Sequence, residues 1–455
     1  MGVGSAKSPD DVVTGGSVGP RRILGIAVPT LGVLVAEPLY LLFDIAVVGR
    51  LGALALAGLA VGAVILGTLS TQLTFLSYGT TARAARRHGA GDRNGAVEEG
   101  VQASWVGLAV GAVIVAVVQV FAVPLCSVLS GGGEIAGEAV VWVRIAIFGV
   151  PLILLSMAGN GWLRGVQDVR RPLTYVVVGL ALSAALCPVL VYGLLGAPRM
   201  ELAGSAVANL LGQSVSGVLF AYALLRERVS LRPQLSVMRA QLVLGRDLIV
   251  RSLAFQICFV SAAAVAARFG AASVAAHQVV LQLWNFLALT LDSLAIAAQT
   301  LVGAALGASN VHGAETVARR VTAWSVVFAL LLATVFAAGV GVIPLLFTDD
   351  AQVLERTHVI WWFFVAMIPV AGAVFALDGV LLGAGDAAYL RTTTLVAALV
   401  GFLPLIWLSL IFDWGVAGIW TGLVAFMLLR LVAVVARARS GRWARVGAEI
   451  PSGAA

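Results

Sequence analysis

The sequence predicts an all-α polytopic membrane protein: twelve transmembrane helices in two six-helix lobes related by an internal parallel repeat. Three observations carry that prediction. The 455 residues are 60% hydrophobic and 11% charged, with mean hydropathy +1.02. A soluble domain cannot hide that much apolar surface, whereas lipid accommodates it. Apolar runs long enough to cross a bilayer recur twelve times, and the second half repeats the first.

Residues 1–20 are polar and Gly/Ser-rich and read as a disordered cytoplasmic tail rather than a cleavable signal. Gly, Pro and charged punctuation then bound helices at 23–48, 54–82, 96–123, 136–163, 172–196 and 202–226. These form the N-lobe, 21–226. The basic stretch 227–244 reads as a cytoplasmic linker lying on the membrane surface. Helices at 245–268, 273–300, 314–341, 354–382, 390–412 and 416–436 form the C-lobe, 245–436, followed by a cytoplasmic tail, 437–455.

Arginine orients these spans. Odd-to-even junctions hold Arg50, Arg199, Arg268 and Arg356, while the opposite side holds clusters such as Arg83, Arg86, Arg87 and Arg93, or Arg164, Arg170 and Arg171. The positive-inside rule therefore predicts both termini in the cytoplasm of a multi-pass protein of the cell membrane. The net charge of +7 is topology, and nucleic acid is not an expected partner.

A shift of 218 residues superposes the halves. "GRLGALALAG" (49–58) meets "ARFGAASVAA" (267–276), "GAGDRNGA" (89–96) meets "GASNVHGA" (307–314), and "GVQD" (165–168) meets "GAGD" (383–386). Pro151 falls on Pro369 and Asn160 on Asp378. Six spans per copy keep both copies in one orientation, a pattern that suits alternating access by rocking lobes.

Several chemistries are absent from the sequence. Lys7 is the one lysine, so no Walker A motif exists, and neither HExxH nor GxSxG occurs. Cys126, Cys187 and Cys258 form no CxxC or Cys/His cluster. No enzyme activity, metal or cofactor is expected. Uphill work would draw on a proton or sodium gradient.

Acids within spans are the candidate sites, because a carboxylate in hydrocarbon is costly unless protonated, paired or wetted. Glu37 and Asp44 are seven residues apart, on one helix face and about 10 Å apart along the axis. They read as a cation-coupling pair, with Pro29 and Pro38 as hinges. Asp44 has one embedded cation in its own lobe, Arg144. In the second lobe Asp292, Asp378 and Arg251 are candidate sites, and pairing of either acid with Arg251 or Arg430 would make that acid structural. Phe43, Tyr78, Asn160, Gln256 and Trp284 are candidate substrate-cavity residues, with Phe75 and Trp162 as further aromatics, although ordinary packing also accounts for any single ring.

These segments together resemble the multidrug and toxic compound extrusion (MATE) transporters. The resemblance rests on "PLYLLFDIAVVGRLG" (38–52), "GAGDRNGA", "NGWLRGVQDVRRP" and the 218-residue repeat. "GRDLIVRSLAFQICF" (245–259), "LTLDSLAIAAQTLVGAALG" (289–307) and "LDGVLLGAGD" (377–386) are similar to its DNA-damage-inducible, DinF-like branch. The resemblance implies secondary active efflux of cationic or amphipathic organic compounds in exchange for protons, with sodium possible. It implies that protonation of Asp44 is tied to substrate release, and that Asp292 and Asp378 are second-lobe acids. One departure stands out. Many members carry a fifth-span pattern like GNxxNxxxD, where this chain has Leu180, Ser183 and Cys187. Glu37 lies outside the resemblance and could replace the missing acid. Thr30, Ser183 and Asn209 are the polar side chains available to Asp44, too few to favour sodium.

Expected partners are a small organic substrate and the lipid bilayer, with the monomer as working unit. Rival readings are a flippase for lipid-linked precursors, a major facilitator protein and a non-transporting membrane scaffold. A flippase cavity needs several cations for pyrophosphate, and Arg144, Arg251 and Arg430 are far apart in sequence. The copy "GASNVHG" and the Asp44 motif weigh against the facilitator class.

Overall fold

The computed structural model describes residues 19–450, so the predicted tail over 1–20 lies almost wholly outside it. Among the described residues twelve helices are long and apolar enough to cross a membrane. In chain order they are α1 Pro20–Leu51, α2 Ala53–Gly89, α3 Arg93–Ser130, α4 Gly133–Gly165, α5 Arg170–Tyr192 and α6 Glu201–Arg226. Then follow α7 Leu235–Arg268, α8 Ala271–Gly307, α9 Val311–Ala338, α10 Ala351–Gly383, α11 Ala387–Ile411 and α12 Gly415–Arg439.

Most helices outrun their apolar windows, because backbone hydrogen bonding continues into polar turns that caps then satisfy. α3 is capped by Asp92, whose carboxylate accepts from Gly95 N at 2.8 Å. α5 stops at Tyr192, four residues before the predicted end, because Gly193 turns left-handed at φ 72°. α7 starts ten residues earlier than predicted, so half of the expected surface linker is helix. Pro404 lacks an N–H for the preceding turn, and α11 widens there into a π turn over Ala397–Phe402.

The repeat is visible in backbone geometry. Gly52 and Gly270, 218 residues apart, both precede a helix at φ 122° and φ 92°. Asp92 caps α3 as Asn310 caps α9, each accepting from the glycine three residues on. Gly161 and Gly379 share a packing role. A Cβ at Gly161 would lie 2.6 Å from the Ser77 carbonyl, and one at Gly379 would lie 2.0 Å from that of Ala295. The pairs α2–α4 and α8–α10 thus approach at equivalent points through a residue without a side chain.

The chain forms two compact units. One comprises 29–88 and 92–245, the other 19–28, 89–91 and 246–450 among the described residues. In the first, the stretch predicted to lie on the membrane surface is tied to α3. Gln102 Nε2 donates to Arg232 O and Gln102 Oε1 accepts from Gln234 N, while Trp105 Nε1 donates to Leu231 O. Glu99 accepts a bidentate pair from Arg83 at 2.7 and 2.9 Å, and also accepts from Gln241. In the second unit, 440–450 fold back. Trp443 is buried, Gly447 N donates to Leu306 O, and Ile450 packs on Gly385.

Candidate functional site

The first unit lines a cavity of about 460 Å³ that is partly open to the outside. α1 contributes Val33, Leu34, Glu37, Pro38, Tyr40, Leu41 and Asp44, a spacing that marks one helix face. α2, α4, α5 and α6 complete the wall, with Tyr78, Trp142, Asn160, Arg164, Asn209 and Gln213 among their residues.

Asp44 is 1% exposed. Ser205 Oγ donates to its Oδ2 at 2.8 Å and Cys187 Sγ donates to its Oδ1 at 3.2 Å. Ser205 is itself oriented by Trp142 Nε1, which donates to its Oγ at 3.2 Å. α5 is pinned to α1 nearby, where Tyr192 OH donates to Val47 O at 2.6 Å. Tyr40 faces Asp44, Ser183 and Asn209. The Tyr40, Ser183 and Asn209 side chains are all near one another and within reach of a shared hydrogen bond. Among the described residues Asp44 is held by neutral donors alone; Arg144, the candidate counter-cation, is exposed on α4. Such a carboxylate keeps its charge uncompensated until a proton or cation arrives.

Glu37 also lines this cavity, exposed within it and facing Gln213. Pro38 lines the wall and Pro29 lies inside the same helix, which continues through both prolines. Tyr78 and Asn160 are in the wall.

Other expectations need correction. Phe43 lies outside the cavity lining and is 39% exposed, because consecutive helical residues point about 100° apart and Asp44 takes the inward direction. Thr30 is buried, but fourteen residues put it about 21 Å along the axis from Asp44, too far to act as its neighbour. Trp284 belongs to the apolar core of the second unit, and Gln256 is exposed on α7 of that unit. Phe75 packs on Gly245, and Trp162 fills a core cluster. Sequence reasoning missed Tyr40, Trp142, Ser205 and Arg164. The three-residue step from Glu37 to Tyr40 was the available signal for one of them. Nothing local marks Ser205, which meets Asp44 across 161 residues.

In the second unit Asp378 is paired, through one carboxylate oxygen, with both Arg251 and Arg430. Arg430 also stacks over Phe255 at 4.9 Å and Phe426 at 5.6 Å. Asp378 and Arg251 thus sit in one buried ion cluster, and Asp292 is half-buried on α8. The repeat equivalents of Asp44, Cys187 and Ser205 are Ala262, Leu405 and Leu423. The carboxylate and both its donors are replaced together by apolar residues.

Twelve spans in duplicated halves, with a buried carboxylate opening on a cavity, define a polytopic membrane protein of the repeat-built transporter type. A family model described as MatE matches residues 29–189 and again 248–408, once per half. The chain belongs to this family, the MATE transporters. It is 31% identical to DNA damage-inducible protein F of Escherichia coli (strain K12), over 93% of this chain and 94% of that protein. It is also 31% identical to Protein DETOXIFICATION 44, chloroplastic, of Arabidopsis thaliana, over 94% of this chain and 84% of that protein. A solved structure described as MATE in the bent conformation shares the fold, with a TM-score of 0.83 at 23% identity, covering 93% of this chain and 94% of that one.

Proposed function

We propose that this chain is a secondary active antiporter that exports cationic or amphipathic organic compounds, with Asp44 as the carboxylate that exchanges a coupling cation for substrate. The observation that carries the reading is Asp44 itself, buried beside a cavity and held by neutral donors. Proton and organic cation compete for one negative charge, so binding of one favours release of the other. Alternating exposure of the cavity, through rocking of the two lobes, turns that competition into antiport.

A proton is the favoured coupling ion. The Ser205 hydroxyl can rotate from donor to acceptor, so it can serve both the charged and the protonated acid. Sodium would use Asp44 with the Tyr40, Ser183 and Asn209 oxygens, in a site with one carboxylate. No nucleotide, cofactor or enzymatic step is required, and a monomer in a cell membrane with both termini cytoplasmic is sufficient. The cavity pairs two carboxylates with a single arginine, Arg164, which disfavours pyrophosphate-bearing lipids.

The test is ethidium efflux from proteoliposomes under separately imposed proton and sodium gradients. A proton gradient is expected to drive efflux in the native protein and to fail in a folded Asp44→Asn variant. Unchanged efflux by that variant would refute the assignment.

A further inference from the structure

The mechanism above uses one of the two carboxylates in the cavity. We propose that the other, Glu37, is a specificity-determining residue that fits the cavity to organic substrates bearing two cationic centres. The inference rests on the efflux reading and names its substrate class.

The geometry starts from α1. Glu37 and Asp44 line the same cavity from the same helix face, seven residues apart, which places them about 10 Å apart along the axis. They are too far apart to share one proton. Their surroundings differ. Asp44 is 1% exposed and accepts from Ser205 and Cys187. Glu37 is open to the cavity and faces the neutral amide of Gln213. Pro38 has no N–H to give the Leu34 carbonyl, and Leu34 is also in the wall, so a backbone acceptor is left beside Glu37.

Two further wall residues point to a cationic ligand. Ser77 and Asn160 are 8% and 9% exposed, and Ser77 Oγ and Asn160 Oδ1 have no hydrogen-bond partner. Unpaired oxygens in a cavity wall turn partial negative charge toward a cation that enters. Arg164 is the charged wall residue of opposite sign. A monocation bound at Asp44 would leave Glu37 without a counter-charge. A dication with centres about 10 Å apart neutralises both carboxylates at once, and its linker passes the apolar wall at Leu41, between the two acids.

The test uses inhibition of ethidium efflux in proteoliposomes by tetraethylammonium and by bis-quaternary ammonium alkanes of graded chain length. The readout is the ratio of apparent affinities, bis over mono. In the native protein the ratio is expected to peak at a chain matching the carboxylate spacing. Glu37→Gln is expected to lower that peak by about tenfold, equivalent to about 1.4 kcal/mol. Glu37→Asp should keep a peak and shift it to a different chain length. An unchanged ratio in Glu37→Gln overturns the proposal. If neither variant folds, the native profile decides, since a profile flat in chain length also overturns it. A native protein that moves no ethidium at all refutes the efflux reading instead, a result distinct from intact efflux without chain-length preference.

Discussion

Neutralising Asp378 should destabilise the protein, whereas neutralising Asp44 should not, because the two acids are held by different partners. Asp378 is paired with Arg251 and Arg430 within one unit, and the Arg430 side chain is 2% exposed. Asp378→Asn removes the anion and leaves two guanidiniums facing each other, one of them without access to water. Breaking a buried pair by deleting one partner costs about 3–5 kcal/mol. At about 2–4 °C per kcal/mol for a unit of this size, melting should fall by roughly 10 °C. Fluorescence-detected size-exclusion chromatography after heating in detergent measures this directly. A second substitution, Arg430→Met, removes the deeper guanidinium and should recover most of the loss, leaving Arg251, which is 15% exposed. Asp44→Asn should melt close to the native protein, because its partners are a hydroxyl and a thiol that an amide can also satisfy. A native-like melting temperature for Asp378→Asn would refute the assignment of Asp378 to a structural ion cluster.

Other expectations follow from the same contacts. Gly379→Ala should destabilise more than Gly161→Ala, since its Cβ would lie 2.0 Å from a backbone carbonyl rather than 2.6 Å; overpacking of about 1–3 kcal/mol is the scale, read as lowered melting temperature. Glu99→Gln breaks the bidentate Arg83 pair and weakens the Gln241 contact, so trypsin should cut faster after Arg228, which mass spectrometry of the fragments will show. Trp443→Ala empties the buried site that holds the 440–450 segment, and cleavage after Arg442 and Arg445 should accelerate without loss of membrane insertion.

The candidate site was partly legible in the chain. The α1 stripe follows from a local rule, because residues three, four and seven apart share a helix face. That rule ties Glu37 to Asp44 and would have added Tyr40. It also excludes Phe43, whose aromatic character had suggested a wall residue. The repeat equivalence of Asn160 with Asp378 was visible as an offset, yet their fates differ. Asn160 keeps an unpaired Oδ1 in a cavity wall, while Asp378 is consumed by two arginines from helices 127 and 52 residues away.

The sequence by itself determined the solvent, the twelve spans, the duplication and the oddity of Asp44, since each depends on composition, period or a fixed offset along one chain. The tertiary structure decided which polar groups meet. Ser205 and Cys187 reach Asp44 from α6 and α5, Arg251 and Arg430 reach Asp378 from α7 and α12, and Gln241 reaches Glu99 from the start of α7. A charge states in sequence that it needs a partner. Which partner it finds depends on helix rotation and crossing, and those are set by packing across residues far apart in the chain.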